Sequence, residues 1–188
     1  LSLGQCHPKL IKAAIAQLNR YTFLSSRFVC EPFMQLAKTL VELAPEELTK
    51  VNIKLSNGSD ANESAFKRVR KYHKKQTIVS LYKSHLGETS ETIAASGKHF
   101  ENRSYIGGCQ KFEFFPPPHP DFIPSCKTIK EAEQASLKCL QKILKKNNDI
   151  CAIIVEPIMV NAGVYILYPN YLRELRTICD KINIGLIF

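Results

Sequence analysis

The sequence predicts an α/β protein in which a mostly parallel sheet lies between two layers of helices. Short apolar runs alternate along the chain with segments whose apolar residues recur at helical spacing, which is typical of repeated strand–helix units. The run "ICAIIVEPI" at 150–158 is almost continuously apolar, as expected for a strand buried on both faces. With 188 residues and 45% hydrophobic content, the chain is expected to form one domain, residues 1–188.

The first half of the chain predicts two helices followed by a strand, a helix and a second strand. Pro8 begins the first helix at a position where its missing N–H costs nothing, and Pro45 ends the second. The apolar and polar residues of "VNIKL" alternate, which favours a strand. The predicted elements are a helix at 8–20, a helix at 33–43, a strand at 51–55, a helix at 60–74 and a strand at 77–82.

The second half predicts a loop and then two further strand–helix alternations. The glycine pair at 107–108 and the proline-rich stretch 114–124 predict irregular backbone, since proline cannot donate to a ladder. Asn170 is predicted to cap the last helix. The predicted elements are a helix at 128–146, a strand at 150–158, a helix at 171–182 and a strand from Gly185.

Composition narrows the class of protein. Seven cysteines, without a CxxC pair or zinc-like spacing, predict reduced thiols and a cytoplasmic protein. No apolar run approaches the roughly 20 residues that cross a bilayer, so no membrane partner is expected. The net charge is +9, and the dense run "KRVRKYHKK" at 67–75 fits either a solvated helix face or a nucleic-acid patch. The solvated face is the more common case, so we expect no nucleic acid.

The stretch "SNGSDANESAFKRVRKY" at 56–72 contains the candidate binding site. A Gly and Ser turn between a predicted strand and a helix brings the first N–H groups of the helix to an open edge, where the helix dipole attracts an anion such as phosphate. Gly58 and Ser59 are the candidate residues. A serine N-cap with Glu63 in the next turn explains the same spacing, and spacing alone leaves both alternatives open. GxGxxG and Gly-Lys-Ser/Thr motifs are absent.

Four segments in order resemble class III pyridoxal-phosphate-dependent aminotransferases. The turn at 56–72 is similar to the family's Ser-Gly-Ser-Glu-Ala-Asn-Glu phosphate turn, and "LGQCHPKLIKAA" is similar to its Gly-His-x-His-Pro helix start. "SHLGETSETIAASG" resembles the Tyr-His-Gly-x-Thr segment, and residues 151–188 resemble the Val-Glu-Pro strand and the strand that leads into Asp-Glu. The resemblance implies the central part of the large domain of a fold-type I enzyme, truncated at both ends.

The resemblance also implies a set of site residues. Gly58 and Ser59 hold the cofactor phosphate, His85 stacks on the pyridine face in place of an aromatic ring, and Glu156 lies near cofactor and substrate. Leu86 stands where the family has His. The family's pyridinium-pairing aspartate and Schiff-base lysine fall outside the sequence, so no catalytic residue is assigned in this chain and it is expected to be inactive alone. No metal ligands are expected.

The function that the resemblance implies is transfer of an amino group from an amine or amino acid donor to a keto acid, by a full-length homodimer that binds pyridoxal 5'-phosphate. An aminomutase or a decarboxylase with the same phosphate turn fits the same motifs. A noncatalytic, truncated scaffold with this fold is the alternative from another class. The missing Met at residue 1 and the apolar end "GLIF" indicate a piece of a longer protein.

Overall fold

A computed structural model describes residues 2–25, 27–53, 55–97 and 111–188. These residues form two compact units, Leu1–Lys54 and Leu55–Phe188. The glycine pair predicted to form a loop at 107–108 lies outside the described residues. In the described part of the chain, every helix is too short or too polar to cross a membrane.

The first unit contains the two predicted helices, α1 (Pro8–Leu18) and α2 (Glu31–Leu43). Each has a proline in its first turn, where no intrahelical acceptor exists for the missing N–H. The strand predicted at 51–55 is not formed at 51–53 or at 55. A strand needs a hydrogen-bonded neighbour, and the strands of the described parallel sheet pair only with one another.

The described part of the second unit contains six strands: β1 (Thr77–Leu81), β2 (Phe112–Phe115), β3 (Ile150–Ile154), β4 (Ile158–Met159), β5 (Tyr165–Ile166) and β6 (Gly185–Ile187). Four of them form a parallel sheet in the order β2-β1-β3-β6. A two-stranded antiparallel hairpin, β4 with β5, follows β3 along the chain. The helices are α3 (Gly58–His73), α4 (Ser90–Ala95), α5 (Ile129–Lys146) and α6 (Pro169–Ile182).

Helices cover both faces of this sheet, which confirms the predicted three-layer α/β/α fold. Val79 and Leu81 belong to an apolar cluster with residues of α5 and α6, whereas Ile78 belongs to a second cluster with Phe66 of α3. Side chains alternate between the faces of a strand, so the two clusters lie on opposite sides. An irregularity at Cys151 shifts the register, since Thr77 pairs with Ile150 and Ile78 with Ala152.

Several element boundaries differ from the sequence prediction, and three of the differences have a clear physical reason. Phe112–Phe115 forms an edge strand, so the predicted loop begins only at Pro116, where the prolines start. The third strand ends at Ile154, because Glu156 and Pro157 leave the ladder before β4. Asn170 is not the cap of α6: the helix begins at Pro169, and Asn170 accepts a hydrogen bond from Arg173 (2.8 Å) within the first turn.

A polar cluster joins the starts of β1, β2 and β3. Asp149 accepts hydrogen bonds from Lys111 Nζ (2.9 Å), Thr77 Oγ1 (3.3 Å) and the main-chain N–H of Gln76 (3.2 Å). The Lys111 ammonium, as donor, is the main cause that lowers the pKa of Asp149 from its ordinary 3.8, against the opposing effect of desolvation. The ionised carboxylate therefore stabilises the amino edge of the sheet.

Asp149→Asn is expected to lower the free energy of unfolding at pH 7. Because the folded-state pKa of Asp149 is lowered, its stabilisation is present above the unfolded-state pKa and is lost as the pH falls below 3.8. The difference in unfolding free energy between wild type and variant should therefore shrink in acid. In a protein that already carries Lys111→Met, Asp149→Asn should cause much less of this difference. Urea unfolding measured from neutral to acid pH tests this, and a difference that does not change with pH contradicts it.

Phe66→Ala is expected to lower the free energy of unfolding by about 3–5 kcal/mol, because it leaves a cavity in a filled core. The Phe66 ring is 0% exposed and meets the Phe112 ring edge-on at 5.8 Å. Tyr72→Ala on the same helix is the matched control, since Tyr72 is 79% exposed, and a change within about 0.5 kcal/mol is expected. Equal losses in the two variants would contradict the assigned core.

Candidate functional site

The amino end of α3 is capped by asparagine. Asn57 Oδ1 accepts a hydrogen bond from the N–H of Asp60 (3.0 Å), and Asp60 in turn accepts from the N–H of Ser56 (3.3 Å). The alternative of a serine N-cap is therefore wrong. The N–H groups of Gly58 and Ser59 precede the first intrahelical hydrogen bonds, so the helix itself provides no acceptor for them.

Gly58 leaves open space beside these N–H groups. A Cβ on Gly58 would meet no atom within 4 Å. Its φ is not among the positive values of the chain, so the backbone there does not require glycine. What glycine provides at this position is room for another group to approach the main chain.

The loop at 84–88, which follows β1, packs directly on the first turns of α3. Gly87 has φ +135°, and a Cβ there would lie 2.4 Å from Ser59 Oγ and 2.7 Å from Thr92 Oγ1. Ser59 Oγ accepts a hydrogen bond from Glu88 N (3.1 Å), and Asn62 Nδ2 donates one to the carbonyl of Leu86 (2.7 Å). Only a residue without a side chain allows this contact at position 87.

The loop and the helix border an open cavity of about 330 Å³ at the carboxyl end of β1. Three predicted site residues, Gly58, Ser59 and His85, are brought together in its lining. The remaining lining residues are Asn57, Asn62, Leu86 and Gly87. Among the described residues that line the cavity none is a lysine or an arginine, so the groups there that could hold an anion are N–H groups, hydroxyls and the helix dipole.

Glu156, the fourth predicted residue, acts on this loop rather than lining the cavity. Its Oε2 accepts a hydrogen bond from the N–H of His85 (2.8 Å). Burial raises the pKa of the Glu156 carboxyl, and the His85 N–H opposes that shift because it stabilises the carboxylate. The side chain thus fixes the main chain of the residue that borders the cavity.

Leu86 points its side chain into the core. It is 5% exposed and belongs to the apolar cluster of Phe66, while its N–H donates to Ser96 Oγ (2.9 Å). Its position is therefore set by packing on one side and by main-chain hydrogen bonds on the other.

Part of the basic run 67–75 has a structural role. Arg70 donates hydrogen bonds to Glu91 Oε2 (2.6 Å) and to the carbonyl of Gln76 (3.0 Å). The Arg70 side chain, which forms an ion pair with Glu91, is only 14% exposed. The guanidinium also lies over the ring of Phe112, 5.5 Å from its centroid. Lys67, Arg68, Lys71 and Lys74 are exposed on the same helix or at its end.

The family model described as aminotransferase class-III matches residues 1–188, the whole of the sequence. The chain belongs to the class-III aminotransferase family. This confirms the family inferred from the four motifs.

Curated relatives match over all or nearly all of the chain but are longer. A succinylornithine transaminase of Photorhabdus laumondii is 31% identical over 193 residues, which cover 100% of this chain and 42% of the relative. A leucine/methionine racemase of Thermococcus litoralis is 31% identical over 189 residues, covering 96% of this chain and 41% of the relative. The chain thus spans less than half the length of these relatives.

A solved structure gives the same fold. The taurine:2-oxoglutarate aminotransferase of Bifidobacterium kashiwanohense, crystallised in complex with PLP and glutamate, superimposes with a TM-score of 0.85 and 27% sequence identity. The match covers 98% of this chain and 42% of that one. The mostly parallel sheet with helices on both faces is therefore the fold of class-III aminotransferase structures.

Sequence reasoning missed three residues of the site: Asn57, Asn62 and Gly87. The cap could have been found from Asn57 three positions before Asp60, which is ordinary capping spacing. Asn62 contacts a carbonyl 24 positions away, so no local pattern reveals it.

Gly87→Ala is expected to lower the free energy of unfolding by about 1–3 kcal/mol, because the Cβ meets Ser59 and Thr92 and the φ of +135° is strained for alanine. Gly58→Ala is the matched control. It should leave stability unchanged or raise it by up to about 1 kcal/mol, since a Cβ there has space at the start of a helix. Chemical denaturation of both variants tests this, and equal losses would contradict the close packing at Gly87.

Proposed function

We propose that the full-length protein is a pyridoxal-phosphate-dependent aminotransferase that moves an amino group from an amine or amino acid donor to a keto acid. The observation that carries the proposal is the cavity between α3 and the 84–88 loop, where two unbonded helical N–H positions, a hydroxyl and an imidazole meet. The family membership of the chain supports the same conclusion.

The lining residues fit the phosphate of this cofactor. The space beside Gly58 admits an anionic group up to the first N–H groups of α3, where the helix dipole favours negative charge. Ser59 Oγ already accepts the Glu88 N–H, so its own hydrogen is left to donate to a phosphate oxygen. Ser59 would therefore serve the loop and the anion at once.

His85 fits the ring of the cofactor. The imidazole borders the cavity next to the phosphate turn, and a flat heteroaromatic ring can stack on the face of a pyridine. Glu156 would hold His85 through its main chain. Bound pyridoxal phosphate supplies an electron-withdrawing ring that stabilises negative charge on the substrate carbon. The lysine and aspartate that act on it in this family are expected in the part of the protein beyond this chain.

The proposal also covers the cellular location and the oligomeric state of the full-length protein. We propose a cytoplasmic homodimer, because members of the family resembling this chain form dimers with the site at the subunit interface. Free thiols support a reducing compartment: six cysteines in the described part of the chain are unpaired.

The full-length protein is expected to bind pyridoxal phosphate with a visible absorption band that moves when an amino donor is added. Absorbance titration, followed by detection of the keto product and the new amino acid, tests this. A protein that gains no band from added cofactor would overturn the proposal. Release of carbon dioxide would show that the reaction is a decarboxylation instead. Inversion of the substrate's configuration without transfer of nitrogen would show that it is a racemisation.

Gly58→Val is expected to weaken pyridoxal phosphate binding roughly tenfold or more, because the side chain fills the space that the phosphate needs. Ser59→Ala removes one hydrogen bond to a charged group, about 1.5–3 kcal/mol or roughly tenfold to hundredfold in affinity. Ala61→Val, at an exposed position on the same helix, is the control for a β-branched residue in α3. Unchanged affinity in Gly58→Val would remove Gly58 from the site.

A further inference from the structure

Side chains from separate parts of the chain hold the main chain of the 84–88 loop. Glu156, after β3, accepts the His85 N–H (2.8 Å), and Ser96, after α4, accepts the Leu86 N–H (2.9 Å). Asn62 and Ser59 of α3 bind the Leu86 carbonyl (2.7 Å) and the Glu88 N–H (3.1 Å). Consecutive peptide groups around His85 are thus fixed, although the segment has no regular secondary structure.

Asn62 connects this loop to the rigid part of α3. It lies one turn after Gly58 and one turn before Phe66, which is 0% exposed in the core. Residues four apart share a helix face, so the phosphate turn, the Asn62 amide and the core anchor follow one line along α3. A shift of the loop relative to the phosphate turn must therefore break the 2.7 Å hydrogen bond of Asn62.

The chemistry of the contact requires an amide. The Leu86 carbonyl can only accept, and Asn62 Nδ2 is a donor of the right length to reach it. An aspartate of the same shape would place a carboxylate oxygen against the carbonyl oxygen. An alanine would leave a partly buried carbonyl without this donor, which costs more than the net value of the hydrogen bond.

We propose that Asn62 is a positioning residue that fixes the His85 imidazole relative to the phosphate turn. The inference rests on the proposed function, since the group to be positioned against is a phosphorylated pyridine ring. Asn62 acts through the Leu86 carbonyl, in the Leu86–Gly87 peptide one residue after His85, and Glu156 binds the N–H on the other side of His85. Loss of Asn62 changes the contact with the ring more than the contact with the phosphate.

The test compares Asn62→Ala, His85→Ala and their double variant in the full-length protein. Asn62→Ala should raise the dissociation constant for pyridoxal phosphate roughly fivefold, in line with one hydrogen bond, and should reduce the circular dichroism of the bound cofactor. The inhibition constant of inorganic phosphate, measured by competition with the cofactor, should stay within about twofold of the wild-type value, because the phosphate turn is intact. Asn148→Ala, an exposed asparagine at the opposite edge of the sheet, is the control.

The double variant separates positioning from general loss of structure. If Asn62 acts through His85, Asn62→Ala adds nothing to the loss already caused by His85→Ala. Additive losses, or a phosphate constant that weakens as much as the cofactor constant, would overturn the inference. If Asn62→Ala lowers the melting temperature, Asn62→Asp replaces it in the same comparison with His85→Ala, because aspartate keeps the shape of the side chain and removes the donor. A wild-type protein that binds no cofactor refutes the proposed function instead.

Discussion

The parallel pairing of β1 with β3 is the constraint on which the rest of the site depends. Because both strands run in the same direction, their carboxyl ends meet at one edge of the sheet, and the residues that follow them come into contact. His85 follows β1 and Glu156 follows β3, and the 2.8 Å hydrogen bond from the His85 N–H to the Glu156 carboxylate links the segments that leave the two strands. The α3 helix, anchored under the same sheet by Phe66, then brings its amino end to this edge.

Two glycines border the site for opposite physical reasons. At Gly87 the absent side chain allows contact, because the main chain lies against Ser59 and Thr92. At Gly58 the absent side chain preserves space, because a Cβ there would meet no described atom within 4 Å beyond its neighbours and the turn of its own helix. The first brings the loop against the helix and the second keeps the inner wall of the cavity open. The described lining, which contains neither lysine nor arginine, can then bind an anion through oriented N–H groups.

The five longer helices of the described chain and two central strands followed from sequence periodicity, since their apolar positions repeat locally, whereas the six-residue α4 was not predicted. The strand predicted at 51–55 is not formed at 51–53 or at 55, and the edge strand Phe112–Phe115 was missed, because pairing depends on neighbours distant in sequence. Resemblance assigned Gly58, Ser59, His85 and Glu156, and the first three line one cavity. The contacts of Asn62 with Leu86 and of Gly87 with Ser59 each span more than 20 residues, so spacing could not reveal them.

The central claim is that the amino end of α3 holds the phosphate of pyridoxal phosphate. A crystal structure of the full-length protein with this cofactor tests it most directly. The account predicts phosphate oxygens within hydrogen-bond distance of the Gly58 and Ser59 N–H groups, with the His85 ring parallel to the pyridine. Cofactor density elsewhere, or a side chain occupying the space beside Gly58, would contradict it.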